Sequence, residues 1–410
     1  MARSAMTMSA GGRIAEHLSV GVLARSYPRE RIRDILVRMG LQSQRVRDLP
    51  AEALVYYVIA LGLFMAVSTG EVLRSLVEGL QWLEGKSEGL KPAGKSAISQ
   101  ARSRMGAAPL RALWEESAVP IAVAGQTGAF YQDLRLVSID GSTLDVPDTA
   151  RNLAHFGRQE SSRGQSAFPQ LRFVALCESG SHTIFSVRMG SYATHETTLA
   201  AELLPDLRPG MLCLADRLYP SFTLWKKAVA TGAHLLWRVK SNADLPVEEV
   251  LPDGSYLSRI YENAKDKRKK QGGLVVRVIE YKLEGVEEAE PLYRLITTLL
   301  DARKYPAQEL AALYPERWEV EVTLDEFKTH MRGGQVVLRS KTPKLVEQEF
   351  YGMMLAHRAV RCLMNEAALR QNLDPDRLSF THAIRVVRRK LAAMPAFSPS
   401  GGCAVDEPAC

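Results

Sequence analysis

The chain has 410 residues, 46% apolar and 24% charged, and its 53 Lys and Arg against 46 Asp and Glu give a formal charge of +7. These are ordinary globular proportions. They exclude wholesale disorder and leave room for two to four structural units at about 100–200 residues each, while the basic balance permits a polyanionic partner without requiring one. Five scattered cysteines (Cys177, Cys213, Cys362, Cys403, Cys410) include no CxxC pair, which argues against a disulfide framework or a zinc site and fits a reducing cytoplasm.

The first 25 residues carry Arg3, Arg13 and Arg25 but no sustained apolar run, so no secretory signal is expected. Residues 12–125 read as a helical N-terminal domain. Ala53–Val67 is 15 residues long and uncharged. A membrane span needs about 20, so this run reads as a buried helix. Glu71–Leu83 repeats apolar residues at helical spacing, and a Gly/Lys/Ser/Pro-rich break follows from Gly85 to Gly94. The next segment, Lys95–Gly106, has Ser96 as a plausible N-cap and Gly106 just past the helix end. Its Gln100, Arg102 and Arg104, beside Ile98, Ala101 and Met105, resemble the second helix of a helix-turn-helix. These three are therefore candidates for reading DNA; the alternative is a solvated helix in a bundle.

From Leu134 the texture changes to short apolar or alternating runs, which read as strands: Leu134–Ile139, Leu171–Cys177, His182–Val187, Met211–Ala215 and His234–Val239. Helices are expected at Glu196–Leu207 and Ser221–Thr231. Three strands, a helix, a strand, a helix and a strand is the order of an RNase H-like α/β domain, set here at residues 130–343. Strand signals return at Gly273–Lys282 and Leu292–Leu300, within a β-rich insertion at 241–295 that also holds the charged run Lys265–Lys270. A C-terminal helical region is expected over 344–392. The Pro/Gly/Ser/Ala-rich tail, 393–410, is expected to lack order.

Asp140 ends an apolar run and precedes Gly141, and Asp216 ends another. Taken singly, each is a turn or cap residue. Together they are two carboxylates at strand ends, where α/β sheets bind ligands. A third carboxylate comes from the segment around Glu321. Tyr314, Arg317, Glu321 and Lys328 lie at offsets 0, 3, 7 and 14, within an arc of roughly 60° on one helix face. Leu313, Val320, Leu324, Phe327 and Met331 form the adjoining apolar stripe, and Glu316, Glu319 and Glu326 point elsewhere, to solvent. Asp145, Asp148 and Asp325 are set aside as neighbours, and the scattered histidines suggest no catalyst.

The spacing Y-x2-R-x3-E-x6-K at Tyr314, Arg317, Glu321 and Lys328 resembles the signature of the insertion sequence 4 family of bacterial DDE transposases. The contexts VSIDGSTLDVPDT (137–149) and LCLADRLYPSF (212–222) are similar to that family's first and second catalytic aspartates. AHFGR, FPQLRFVAL, LLWRVK and LRSKTP add to the likeness, which covers roughly residues 17–390. The 76 residues from Asp140 to Asp216 and the 105 from Asp216 to Glu321 also fit, the second interval being long enough for the family's β-strand insertion.

The resemblance implies a transposase that binds the inverted-repeat ends of an insertion element in double-stranded DNA, cuts them, and joins the 3′-OH ends to target DNA. Asp140, Asp216 and Glu321 would be catalytic and hold two divalent metal ions, Mg²⁺ or alternatively Mn²⁺, with Asp140 bridging. Tyr314, Arg317 and Lys328 would bind substrate phosphate. Tyr293 is the candidate for stacking a displaced base during a hairpin step. A homodimer on paired ends, no membrane, and a cytoplasmic location at the nucleoid complete the expectation. The alternatives are a catalytically silent DNA-binding relative and an RNase H-like nuclease without strand transfer.

Overall fold

The computed structural model describes residues 17–43, 49–74, 76, 94–161, 164–282, 290–332 and 337–389. The tail from 393, the chain before 17 and most of the later half of the 71–83 helical stretch lie outside them. Helices α1 (His17–Ser26), α2 (Arg29–Arg38), α3 (Ala51–Leu63), α4 (described over 69–74), α5 (Lys95–Met105) and α6 (Ala108–Ser117) come first. The uncharged run does form the buried helix α3, entered at Pro50. Among the described residues no helix is long and apolar enough to cross a membrane. The boundary residue of α5 is Gly94 rather than Ser96, and Gly106, at φ +67°, ends the helix.

One ten-stranded sheet organises the remainder, built from β1 (Phe130–Tyr131), β2 (Leu134–Asp145), β5 (Gln170–Glu178), β6 (Thr183–Ser191), β7 (Met211–Ala215), β8 (His234–Val239), β9 (Glu249–Val250), β10 (Tyr256–Ile260), β11 (Leu274–Tyr281) and β12 (Tyr293–Thr297). A two-stranded ribbon, β3 (Glu160–Ser161) with β4 (Gly164–Gln165), lies apart. The order is β6-β5-β2-β7-β8-β12-β11-β10-β9, with β1 on β2. β2, β5 and β6 are antiparallel, whereas β7 runs parallel to β2 and β8 parallel to β7. This is the RNase H-like arrangement that the strand order implied. The strands at 241–295 continue the same sheet: β12 pairs antiparallel with β8, and β11, β10 and β9 follow outward. The Lys-rich run forms a short helix, α10 (Ala264–Lys269), because the Asn263 side chain accepts from two backbone amides at its start.

Alternation along β2 sends Val137 and Ile139 to one face and Leu136, Ser138, Asp140 and Leu144 to the other. The first face packs on Leu199 and Leu203 of α8 (Glu196–Leu203) and on Leu224 and Trp225 of α9 (Phe222–Val229). The second packs on Leu310 of α11 (Ala307–Leu313), on Val320 and Leu324 of α12 (Trp318–Asp325) and on Phe350 of α13 (Pro343–Arg370). α7 (Ala150–Phe156) follows β2, and α14 (Phe380–Arg389) closes the described chain. The N-terminal helices share this second core. α3 meets α13 so closely that a Cβ on Gly62 would lie 2.9 Å from the Met353 Cα, and one on Gly352 would lie 2.7 Å from the Val58 carbonyl oxygen. Glycine is needed at both positions for that approach.

Candidate active site

Asp140 is carried in mid-strand: β2 runs on to Asp145, and Asp140 pairs with Ala175 of β5. The expected strand end is thereby corrected, because Gly141 continues the ladder instead of turning it. The last parallel pair of β2 with β7 is Ser138 with Leu214. Two residues further on each strand bring Asp140 beside Asp216, which lies just past the end of β7. Each carboxylate is fixed by a local amide: Gly141 N–H donates to Asp140 Oδ1 and Leu218 N–H to Asp216 Oδ1, both at 2.8 Å.

The segment bringing the third carboxylate is not one uniform helix. Tyr314–Arg317 is a tight 3-10 turn, Trp318–Asp325 is α12, and Glu326–His330 is a π turn. Val320, Leu324, Phe327 and Met331 are buried as the apolar stripe predicts, and Leu313 is partly buried. Glu321 accepts from Arg317 Nη2 at 2.7 Å. Burial first, then the charges of Asp216 and Glu321, push the Asp140 carboxyl up to about 7 against the pull of the Gly141 amide and Arg317. Asp140 thus lies at one rim of the sheet within reach of the charges of Asp216, Glu321 and Arg317.

Other expectations fare differently. Tyr314 is buried, and its hydroxyl donates to the Ala215 carbonyl at 3.2 Å. It ties the catalytic segment to the end of β7 and is not open to a phosphate. Arg317 is buried, and its Nε has no partner among the described residues. Lys328 is half-buried in the π turn, with no ion pair to its ammonium among the described residues. Tyr293 is half-buried, stacked on Tyr281 at 5.3 Å with Arg238 over its ring at 4.6 Å, so its ring is already engaged.

On α5, Gln100 and Arg104 are exposed, but Arg102 is buried. Its guanidinium donates to Gln348 Oε1 at 2.7 Å and to Ser340 Oγ at 3.0 Å, which corrects its assignment as a base reader. Asp145 accepts from Gln170, and Asp148 pairs with Arg158 at 2.6 Å, so both have structural employment.

Glu319 and Glu326 are likewise not solvated. Glu326 is buried against Arg361, whose Nε donates to it at 2.8 Å. Burial alone would raise the Glu326 carboxyl; the His182 and His357 hydrogen bonds and the Arg361 charge more than offset this and hold it well below the usual range. Burial, then a Glu316 hydrogen bond and the Asp376 charge, push the Glu319 carboxyl up against the pull of the Gly180 amide. His182, Glu319 and Asp376 lie within metal-binding reach of one another. Arg361 Nη2 sits 2.7 Å from His182 Nδ1 and can only donate. His182 Nε2 lies 2.9 Å from Asp376, and although burial lowers the imidazole's pKa, the Asp376 and Glu326 carboxylates more than offset this and raise it. The cluster is an ionic tie between the β5–β6 turn and the C-terminal helices.

Sequence reasoning passed over three neighbours of the carboxylates: Gly141, Glu196 and Tyr219. A Cβ on Gly141 would lie 2.7 Å from Glu196 Oε2, and the Tyr219 hydroxyl is buried without a partner among the described residues. The only signals were the Gly after Asp140 and the Glu opening the helix after the third strand.

Residues 131–358 match the transposase DDE domain, and residues 17–115 match the insertion element 4 transposase N-terminal region. The chain belongs to the insertion sequence 4 family of DDE transposases, enzymes that act on DNA by phosphodiester cleavage and transfer with divalent metal ions. It is 31% identical to the transposase InsG for insertion sequence element IS4 of Escherichia coli (strain K12), over 90% of this chain and 82% of that protein. Among solved structures it is similar to the cryo-EM structure of the piggyBac transposase synaptic complex with hairpin DNA, at a TM-score of 0.46 and 15% identity over 90% of this chain and 79% of that one.

Proposed function

We propose that Asp140, Asp216 and Glu321 are the catalytic carboxylates of a transposase that cuts its element's inverted-repeat ends and joins them to target DNA using two Mg²⁺ ions. The observation that carries this is the register that sets Asp140 beside Asp216, with the Asp140 carboxyl pushed up to about 7 by burial and by the charges of Asp216 and Glu321. A half-buried set of hard oxygen donors with one arginine among them is a poor place for three negative charges and a good one for divalent cations. Divalent ions bound there supply Lewis-acid activation of the attacking oxygen and stabilise the leaving one.

The protein's own part is positioning. Asp140 and Asp216 are held by their backbone amides, and Arg317 holds Glu321. The Nε of Arg317, without a partner among the described residues, and the ammonium of Lys328 are offered to the phosphates flanking the scissile bond. In the first step a water oxygen attacks phosphorus and the P–O3′ bond breaks, leaving a 3′-OH and a 5′-phosphate. In the joining step that 3′-OH attacks a target phosphodiester, whose own 3′-oxygen departs and takes a proton. We assign the working unit as a homodimer on paired ends, acting in the cytoplasm at the nucleoid. Gln100 and Arg104 remain the exposed candidates on α5 for contacts with end DNA.

The test is a labelled duplex carrying the inverted repeat that flanks the gene, incubated with the purified chain and Mg²⁺. Nicking at the repeat boundary, followed by joining to a target plasmid, is expected, and both are to stop with EDTA. A hairpin product would identify the second-strand route. Binding to the repeat with no cut under Mg²⁺ or Mn²⁺ would leave a silent DNA-binding relative instead, and cutting without joining a plain nuclease.

A further inference from the structure

Glu196 opens α8 on the face of the sheet opposite α12. Its carboxylate nevertheless reaches the strand that carries Asp140, because residue 141 has no side chain: a Cβ there would sit 2.7 Å from Glu196 Oε2 and 2.8 Å from its Cδ. Gly141 is a plain strand residue, in register with Val174, and φ > 0 is not its reason for being glycine. The requirement is room for Glu196.

The carboxylate that fills this room has no hydrogen bond among the described residues. Its nearest cation, Arg172 Nε, is 4.0 Å away, outside hydrogen-bond range, and that Nε is itself buried without a partner. Arg172 is directed elsewhere, donating to the Thr194 carbonyl at 2.9 Å and lying over the Tyr192 ring. A buried group without a partner among the described residues lies within reach of the Glu196 charge. Tyr219, three residues past Asp216, is 1% exposed, and its hydroxyl meets no acceptor among the described residues. The charges of Asp140, Glu196 and Asp216 all bear on it. A buried hydroxyl left without a partner costs roughly 1–3 kcal/mol, so native structures rarely keep one. A half-buried carboxylate under the charge of Asp216, and an orphan hydroxyl within reach of Asp140, Glu196 and Asp216, describe a polar pocket whose missing partner is not protein. The sign of the surrounding charge makes that partner a cation with its waters.

We propose that Glu196 is a fourth carboxylate of the metal centre, admitted by Gly141 and facing the ion held by Asp140 and Asp216. Tyr219 is a positioning residue that orients this carboxylate or the ion's water. The proposal rests on the reading of Asp140 and Asp216 as metal ligands.

The test is a Mn²⁺ titration of the full chain, followed by loss of the free-ion EPR signal, for wild type, Glu196→Gln, Gly141→Ala, Tyr219→Phe and Asp140→Asn, with the circular dichroism spectrum and melting temperature of each as controls. Glu196→Gln is expected to weaken Mn²⁺ binding about tenfold or more, and Gly141→Ala to reproduce the loss by displacing the carboxylate. Tyr219→Phe is expected to weaken it severalfold. Glu196→Gln with wild-type Mn²⁺ affinity and unchanged melting overturns the proposal while Asp140→Asn still loses the ion. Asp140→Asn with wild-type affinity overturns the underlying site as well.

Discussion

Arg317 joins two tasks in one guanidinium. Nη2 fixes Glu321 at 2.7 Å, while Nε is buried and has no partner among the described residues. Burial would lower its affinity for a proton, but the bond to Glu321 and the neighbouring Tyr314, Glu321 and Asp140 raise it, so it stays charged. Arg317→Ala is expected to cut the rate of end cleavage by about 10²-fold or more, the range seen on removing one preorganised donor to reacting oxygens. Mn²⁺ binding should be retained, and Arg317→Lys should be intermediate because it keeps the charge without the fork. Unchanged cleavage by Arg317→Ala would reject the phosphate role. The spacing of Tyr314, Arg317, Glu321 and Lys328 was visible in the sequence because side chains one, two and four turns apart share a helix face. That Tyr314 turns inward to the Ala215 carbonyl, and that Glu196 fills the space over Gly141, was not visible. Both depend on which strand lies next to which, and no local pattern encodes that.

The π turn at Glu326–His330 shows the same limit at the scale of elements. Read at 100° per residue, Glu326 belongs on a solvated face. The wider turn and the packing of α13 place it instead between Arg361, His357 and His182. Because its folded pKa is depressed, the Glu326 carboxylate contributes stability that is present above the ordinary glutamate value, near 4.5, and is lost as the pH falls through the depressed one. Glu326→Gln should lower stability at pH 7 by about 3–5 kcal/mol, chiefly by leaving Arg361 buried and unpaired. The deficit should shrink below pH 4.5, where the unfolded wild-type chain takes up a proton that folded Glu326 still excludes. Melting curves that stay parallel from pH 7 to pH 3 would contradict this. Strand order was more legible: the five core strands announce themselves by short apolar runs separated by loops. Asp140 was misplaced at a strand end only because polar residues after Ile139 hide a strand whose rim lines a site. Arg102 misled in the opposite sense. At its position on α5 it looks like a solvent-facing reader, whereas Gln348 and Ser340, some 240 residues on, bury it.

For the molecule as a whole, the close α3–α13 crossing at Gly62 and Gly352 makes the helices before and after the sheet one support for the catalytic face. Val320, Leu324 and Phe327, which anchor the segment bearing Glu321, belong to the same core as the N-terminal helices. The charge of +7 suits a polyanionic substrate, and affinity for DNA should fall steeply with salt. All of this scaffold serves to keep three carboxylates from distant parts of the chain at one rim. The most direct measurement is Mg²⁺-dependent cleavage of a repeat-end duplex by Asp140→Asn, Asp216→Asn and Glu321→Gln, with duplex binding measured on the same preparations. Each variant is expected to bind the duplex as the wild type does and to lose cleavage by about 10³-fold or more, since each removes a proposed metal ligand. Wild-type cutting by any one of the three would contradict the assignment of the site.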